Sequence, residues 1–411
     1  MPTLLQISIE VNSGSVGKIA EQIGETVLEN GWQSYITYAR NINPSKSKVI
    51  KIGNKFDLYL HGLETRILDN HCFSSSTATK KLVKQIQTIN PDIIHLHHLH
   101  GYFINIEILF EYLKKSKIPV VWTFHDCWSF TGHCAYFDFV GCEKWKSQCF
   151  DCEQKNEYPA SLLFDRSEQN FLDKKRIFNS LENMTIVPVS NWLAEKVSQS
   201  FLKNYPCKVV HNGIDISVFQ PKNAKKTVVD KYNLSDKFII LGVASTWERR
   251  KGLDEFVKLS TVIDSTKYVI VLVGLSESQI KKLPKSIIGI SRTENVAQLA
   301  DLYSAADVFL NPTLEDTYPT TNLEAIACGT PVITYKTGGS IESVNDKTGI
   351  VVEKSDINGL INALETIKTN TKQFYKDNCR EYAVNNFSKK TKFASYYNLY
   401  TDILKIPNEQ Q

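Results

Sequence analysis

At 411 residues the chain exceeds what one hydrophobic core usually supports, so two domains are expected. Its 42% hydrophobic and 22% charged content is that of a globular protein and excludes disordered, collagenous and low-complexity classes. The 48 basic and 44 acidic residues leave a net charge of only +4, which argues against nucleic acid as an obligate partner.

The opening stretch MPTLLQISIEVNSG lacks a basic region and a long apolar core, so it reads as a first strand rather than a signal peptide. No apolar run approaches the ~18 residues that span a bilayer. The expectation is a cytoplasmic protein, with peripheral contact at the inner face of the cytoplasmic membrane left open. Strands are predicted at 4–9, 34–39, 93–97, 119–123 and 185–189, and helices at 17–30, 78–90, 103–115 and 167–181. Runs such as PDIIHL and PVVWTF suit parallel strands buried on both faces. After about residue 206 the alternation restarts. Strands are predicted at 207–210, 238–244, 267–273, 287–290, 307–310 and 331–334. Helices are predicted at 252–262, 276–282, 295–305, 321–327, 357–368, 372–386 and 388–404. Two such series imply an α/β protein of two doubly wound, Rossmann-like domains. The boundaries expected are 1–206, joined by a C-terminal helix at about 388–411, and 207–387.

The insert 126–165 has little periodicity and many aromatics. Cys134, Cys142, Cys149 and Cys152 are spaced C-x7-C-x6-C-x2-C within it. The terminal CxxC is a metal knuckle, and four thiolates suit a structural, tetrahedral Zn²⁺ that clips a long loop. Buried free thiols are the competing reading, and Cys127 and His133 are alternative ligands. Trp128, Phe130, Tyr136, Phe137 and Trp145 either help form a ligand site or make the loop's own small core.

In LEDTYPTTNLEAIACGTPVI, Asp316 and Glu324 stand eight positions apart around the start of a helix. Amides and hydroxyls of Thr320 and Thr321 at that helix start suit a phosphate, and the two acids suit sugar hydroxyls. Helix capping and a solvated face would also explain them. Further candidates are Gly14 and Gly17 between the first strand and the first helix, with Ser15 between them. A tight strand–helix turn accounts for these equally well.

The stretch from Asp316 to Ile333 resembles the Glu-x7-Glu region of the retaining GT-B glycosyltransferases called family four, where two acids bind the donor sugar and the nucleotide ribose. Asp316 is one methylene shorter than the usual first acid, and Pro319 stands where the family has Gly. VVHNGIDISVF resembles the family's interdomain turn, placing Asn212 and Gly213 in it. LGVASTWERRKGLDEF resembles the segment carrying the diphosphate-binding Arg and Lys. Lys251 matches the Lys, whereas Thr246 occupies the Arg position, so Arg250 or Arg249 is left to supply that charge. TGGSIESV resembles the family's Gly-Gly-x-x-Glu segment, with Glu342 as the acid. His125 matches the N-domain His that touches the donor sugar, and Ser190 and Asn191 match a helix start beside it. A bacterial polysaccharide-biosynthesis subgroup carries a loop similar to the cysteine-rich insert.

The resemblance implies a deep interdomain cleft and a donor site drawn from Gly14, Ser15, Gly17, Asn191, Asn212, Arg250, Lys251, Asp316, Thr320, Thr321 and Glu324. His125, Lys251 and Asp316 would be the catalytic residues. It implies transfer, with retention, from a nucleoside-diphosphate sugar to a hydroxyl of a glycan or lipid-linked oligosaccharide of a capsule, O-antigen or exopolysaccharide. A UDP-sugar is favoured, with a GDP-sugar second. No Asp-x-Asp motif is present, so no catalytic metal cofactor is expected. The alternatives are a nucleotide-sugar epimerase of the same fold and a non-catalytic nucleotide-sugar-binding protein.

Overall fold

Short strands buried on both faces, such as β1 (Thr3–Ile7), β5 (Val120–Phe124) and β8 (Tyr268–Val273), set the plan of the computed structural model. It describes residues 1–234 and 237–406. The chain divides into two compact units, one made of Met1–His211 and the segment from Lys392 onward, the other of Asn212–Thr391.

The first unit adds β2 (Gln33–Tyr38), β3 (Lys48–Lys51), β4 (Ile93–Leu96) and β6 (Met184–Pro188) to β1 and β5. All are parallel, in the order β3-β2-β1-β4-β5-β6. Its helices are α1 (Gly14–Glu29), α2 (Lys55–Leu68), α3 (Ser76–Ile89), α4 (Ile106–Ser116), α5 (Ser167–Phe178) and α6 (Asn191–Gln199). Ile19, Ile23 and Val27 recur every four residues along α1, giving it one apolar face, and they pack with Leu4, Ile93, Val121 and Val187 of the sheet.

The second unit holds α7 (Lys225–Tyr232), β7 (Phe238–Val243), α8 (Leu253–Val262), β8, α9 (Glu277–Ile280) and β9 (Ile287–Ile290). It continues with α10 (Val296–Ala305), β10 (Val308–Asn311), α11 (Thr320–Ala327), β11 (Val332–Tyr335) and β12 (Gly349–Val352). Its parallel order is β12-β11-β10-β7-β8-β9. In each unit the winding direction reverses, at β1/β4 and at β7/β10. Loops leaving adjacent strands diverge there and leave a crevice at the carboxyl edge.

α12 (Ile357–Asn386) leads to α13 (Lys389–Leu404). Phe393, Tyr396, Leu399 and Tyr400 of α13 join the first unit's core, and the Tyr400 hydroxyl lies 2.6 Å from His95 Nδ1. The part of the predicted C-terminal helix from 407 to 411 lies outside the described residues. Among the described residues no helix is long and apolar enough to cross a membrane.

Several elements differ from the sequence reading. The segment 207–210 is not a strand. Pro206 and Cys207–Val210 run along β6 through single bonds, Lys208 N to Ile186 O at 3.0 Å and Val210 N to Pro188 O at 3.1 Å, and only Cys207 forms a bridge. The helices predicted at 357–368 and 372–386 are one. Thr366 and Thr369 turn their hydroxyls back to the carbonyls of Asn362 and Glu365, so the polar run does not interrupt the ladder. β3 and β12 are edge strands with broken apolar patterns, and they were not predicted, nor were α2 and α7. Gly14 and Ser15 open α1 and Gly17 lies inside it, rather than before it. A Cβ there would come within 3.0 Å of Glu10 O, so close helix packing explains the glycine.

Candidate active site

In the second unit the chemistry collects at the β7/β10 reversal. The loop after β7 carries Arg250 and Lys251, and the loop after β10 carries Asp316. The two loops are laced together by backbone. Leu314 N donates to Arg250 O at 2.7 Å, the Thr313 hydroxyl to the same oxygen at 3.1 Å, and Arg250 Nη1 to Glu315 O at 3.3 Å. Gly252, at φ +77°, lets the first loop press on Pro312. A Cβ there would sit 2.1 Å from Pro312 O.

Across this seam the Lys251 ammonium is ion-paired with Asp316 Oδ2. The lysine side chain is 23% exposed and the aspartate 11%. Burial pulls the Lys251 pKa below its usual value, against the attraction of Asp316. Burial alone would raise the Asp316 pKa, but the Lys251 and Arg250 charges hold it below the usual carboxylate range.

The Gly338-Gly339 turn braces the acidic loop from the other side. Gly339 N donates to Asp316 O at 2.9 Å, and Gly338 at φ +52° would put a Cβ 2.0 Å from that oxygen. α11 begins directly after Pro319, so Thr320 and Thr321 occupy its first two positions, where backbone N–H groups lack helical partners. One turn on, Glu324 Oε2 accepts a 3.0 Å bond from the Tyr303 hydroxyl, which orients the carboxylate. Glu248 bonds Arg250 Nε at 3.2 Å, and Arg249 is exposed, so Arg250 is the arginine at this seam. Thr246 is exposed and Asn212 is buried at the unit's first residue.

In the first unit Gly14, Ser15, His125 and Asn191 follow the carboxyl ends of β1, β5 and β6, with Gly17 in the first turn of α1. His125 Nε2 lies 3.3 Å from His97 Nδ1, and His97 Nε2 lies 3.0 Å from Gln6 Oε1. Burial keeps both imidazoles neutral. Ser190 caps α6, accepting from Leu193 N at 3.2 Å, and Asn191 is its first residue. His97, His98, His100 and Asp126 were missed in the sequence reading. The signal was present, as HHLHG follows one strand of the reversal and HD follows the next.

Within the cysteine-rich insert Phe130, Phe137 and Trp145 form a small buried core, while buried Trp128 packs on His71, His100 and Phe178 outside it. Phe137 stacks on Trp145 at 4.8 Å. Cys134, Cys142, Cys149 and Cys152 line one cavity of about 20 Å³ together with His133. A hydrogen bond from Cys134 holds the Cys152 thiol below its ordinary pKa. Burial pushes Cys149 up to about 12. Among the described residues the three ligand atoms that come within 4.8 Å of one another belong to His98, His100 and Asp126, not to the cysteines.

Two parallel six-stranded α/β domains match the GT-B fold of solved glycosyltransferases. Residues 43–218 match the family described as Glycosyltransferase Family 4, and residues 237–370 match Glycosyl transferases group 1. The chain is a glycosyltransferase similar to both families over these stretches. It is 26% identical over 229 residues to an Escherichia coli (strain K12) protein named for colanic acid biosynthesis glycosyl transfer, covering 52% of this chain and 55% of that one. It is 27% identical over 207 residues to a Staphylococcus aureus capsular polysaccharide biosynthesis glycosyltransferase, covering 47% and 54%. The matched stretch thus spans about half the length of each of these relatives. Its fold is similar to sucrose-phosphate synthase of Thermosynechococcus elongatus, with a TM-score of 0.72 at 18% identity over 99% of this chain and 100% of that one. It is also similar to an Anabaena protein in complex with UDP-glucose, with a TM-score of 0.66 at 13% identity over 97% and 99%.

Proposed function

We propose that the chain transfers a sugar from a nucleoside-diphosphate sugar to a hydroxyl of a glycan or lipid-linked oligosaccharide, with retention, in surface polysaccharide biosynthesis. The observation that carries this reading is the Lys251–Asp316 pair beside the start of α11 at the second unit's strand-order reversal. Lys251, Arg250 and the amides of Thr320 and Thr321 would bear the growing charge of the departing diphosphate. Asp316 would hold the sugar's hydroxyls, and Glu324 those of the ribose. The first unit would supply His125, whose imidazole burial holds neutral. The leaving phosphate oxygen, rather than an enzyme base, would take the acceptor proton. A UDP-sugar is favoured by the UDP-glucose bound to the Anabaena protein, with a GDP-sugar second.

Membrane contact is supported by an apolar stripe. Phe56, Tyr59, Leu60, Leu63 and Ile67 are exposed along one side of α2. Leu162, Leu163 and Phe164 are exposed beside its end, where Leu162 N bonds Arg66 O at 2.7 Å. Such a patch suits a surface bearing a lipid-linked acceptor. A structural Zn²⁺ in the cysteine cavity is supported by His133. Its Nδ1 is 2.7 Å from Asp69 Oδ1, while its buried Nε2 has no hydrogen-bond partner.

The test is a thermal-shift screen of UDP-, GDP- and ADP-sugars. One nucleotide class should raise the melting temperature, and Glu324→Ala should remove that shift. A shift of full size in Glu324→Ala would refute the ribose assignment.

A further inference from the structure

The loops leaving β4 and β5, neighbours at the carboxyl edge of the first sheet, bring two imidazoles and a carboxylate together away from the cysteine cavity. Asp126 Oδ2 lies 3.3 Å from His98 Nε2 and 2.7 Å from His100 Nε2. All three ligand atoms fall within 4.8 Å of one another. In a tetrahedral zinc site with ~2.0 Å bonds, ligand atoms stand about 3.3 Å apart, so the His98–Asp126 spacing already fits. The shorter His100 contact is a hydrogen bond that an ion would replace.

The groups behind these ligands are arranged as a metal's outer shell is. Trp128 N donates to Asp126 Oδ1 at 3.0 Å, which fixes the carboxylate and leaves Oδ2 facing the imidazoles. His100 Nδ1 lies 2.9 Å from the Tyr158 hydroxyl, which can accept from Nδ1–H once an ion displaces the proton from Nε2. His98 Nε2 is buried and has no hydrogen-bond partner. A buried imidazole nitrogen without a partner costs stability unless something satisfies it.

We propose that His98, His100 and Asp126 form a binding site for a divalent transition ion of the zinc class, with at least one position left for water or a ligand oxygen. Both imidazoles can offer a nitrogen lone pair to such an ion. Two nitrogens and one carboxylate oxygen also match zinc's preference and exclude calcium, which takes six to eight oxygens. The ion would tie the β4 and β5 loops, and through Tyr158 the end of the cysteine-rich insert, to one point next to His125. This assignment stands whether or not the donor reading above is correct.

The experiment is titration of the chelator-stripped full chain with Zn²⁺ against a chromophoric competitor. Wild type should bind an equivalent of zinc that His98→Ala and Asp126→Asn each weaken at least ~10-fold. Cys149→Ser should retain that equivalent. Cobalt(II) bound there should lack the intense near-ultraviolet band of thiolate ligation. His98→Gln, which keeps side-chain bulk, repeats the test if the alanine variant melts early. Absence of zinc binding to wild type would overturn the proposal. So would unchanged affinity in both His98 variants, or zinc loss only in Cys149→Ser.

Discussion

Replacing Lys251 by Met removes one charge from a pair that water barely reaches. Asp316, with its side chain 11% exposed, then keeps a carboxylate whose remaining cation is Arg250. Breaking a buried pair from one side costs ~3–5 kcal/mol, and the residual 23% exposure of Lys251 together with Arg250 places this case near ~3 kcal/mol. At ~2–4 °C per kcal/mol for a domain of this size, the second unit's transition should fall by roughly 6–12 °C. Asp316→Asn should cost a similar amount, because it strands the ammonium. The double variant should cost less than the sum by at least ~1 kcal/mol. Urea unfolding followed by circular dichroism gives all four corners of that cycle. If the transfer reading holds, Lys251→Met also lowers kcat by ~10²–10³. A single-variant cost below ~0.5 kcal/mol, or a cycle additive to within ~0.3–0.5 kcal/mol, would refute a buried, mutually dependent pair.

Gly338→Ala should destabilise the second unit by more than ~1 kcal/mol and weaken donor binding, since its Cβ would meet Asp316 O at 2.0 Å in a left-handed backbone. Unchanged melting and binding would show that the turn does not brace the acidic loop. Lys372 gives a pH test. Its ammonium donates to Ser304 O and Ala306 O at the end of α10, and burial pushes its pKa down to about 8 from 10.5. Between those values the unfolded chain binds more protons than the folded one, so stability should rise with pH by at most about 1.4 kcal/mol per unit. Lys372→Met should lose that slope in urea melts from pH 7.5 to 10. An identical slope in wild type and variant would refute the assignment. Leu162→Asp with Leu163→Asp should cut sedimentation with anionic vesicles on the order of 10-fold without moving the melting temperature, both side chains being exposed. Equal sedimentation would rule out this patch as the contact.

Sequence alone was enough for the alternation of buried strands and amphipathic helices. Each such element writes its own period into the chain, as Ile19, Ile23 and Val27 do in α1. It also marked Lys251, Asp316 and the Gly338-Gly339 turn, because a short motif keeps its residue types wherever the fold puts them. It did not show edge strands β3 and β12, whose patterns are broken by solvent on one side. Nor could it choose Arg250 over Arg249, because that depends on which guanidinium meets the Glu315 carbonyl 65 positions away. The HLHHLH run was visible as letters. Only parallel pairing of β4 with β5, Leu96 opposite Trp122, brings Asp126 to His98 and His100. A period is a local property of the chain, but which loops share a crevice is fixed by strand order, and strand order comes from long-range burial that no segment carries by itself.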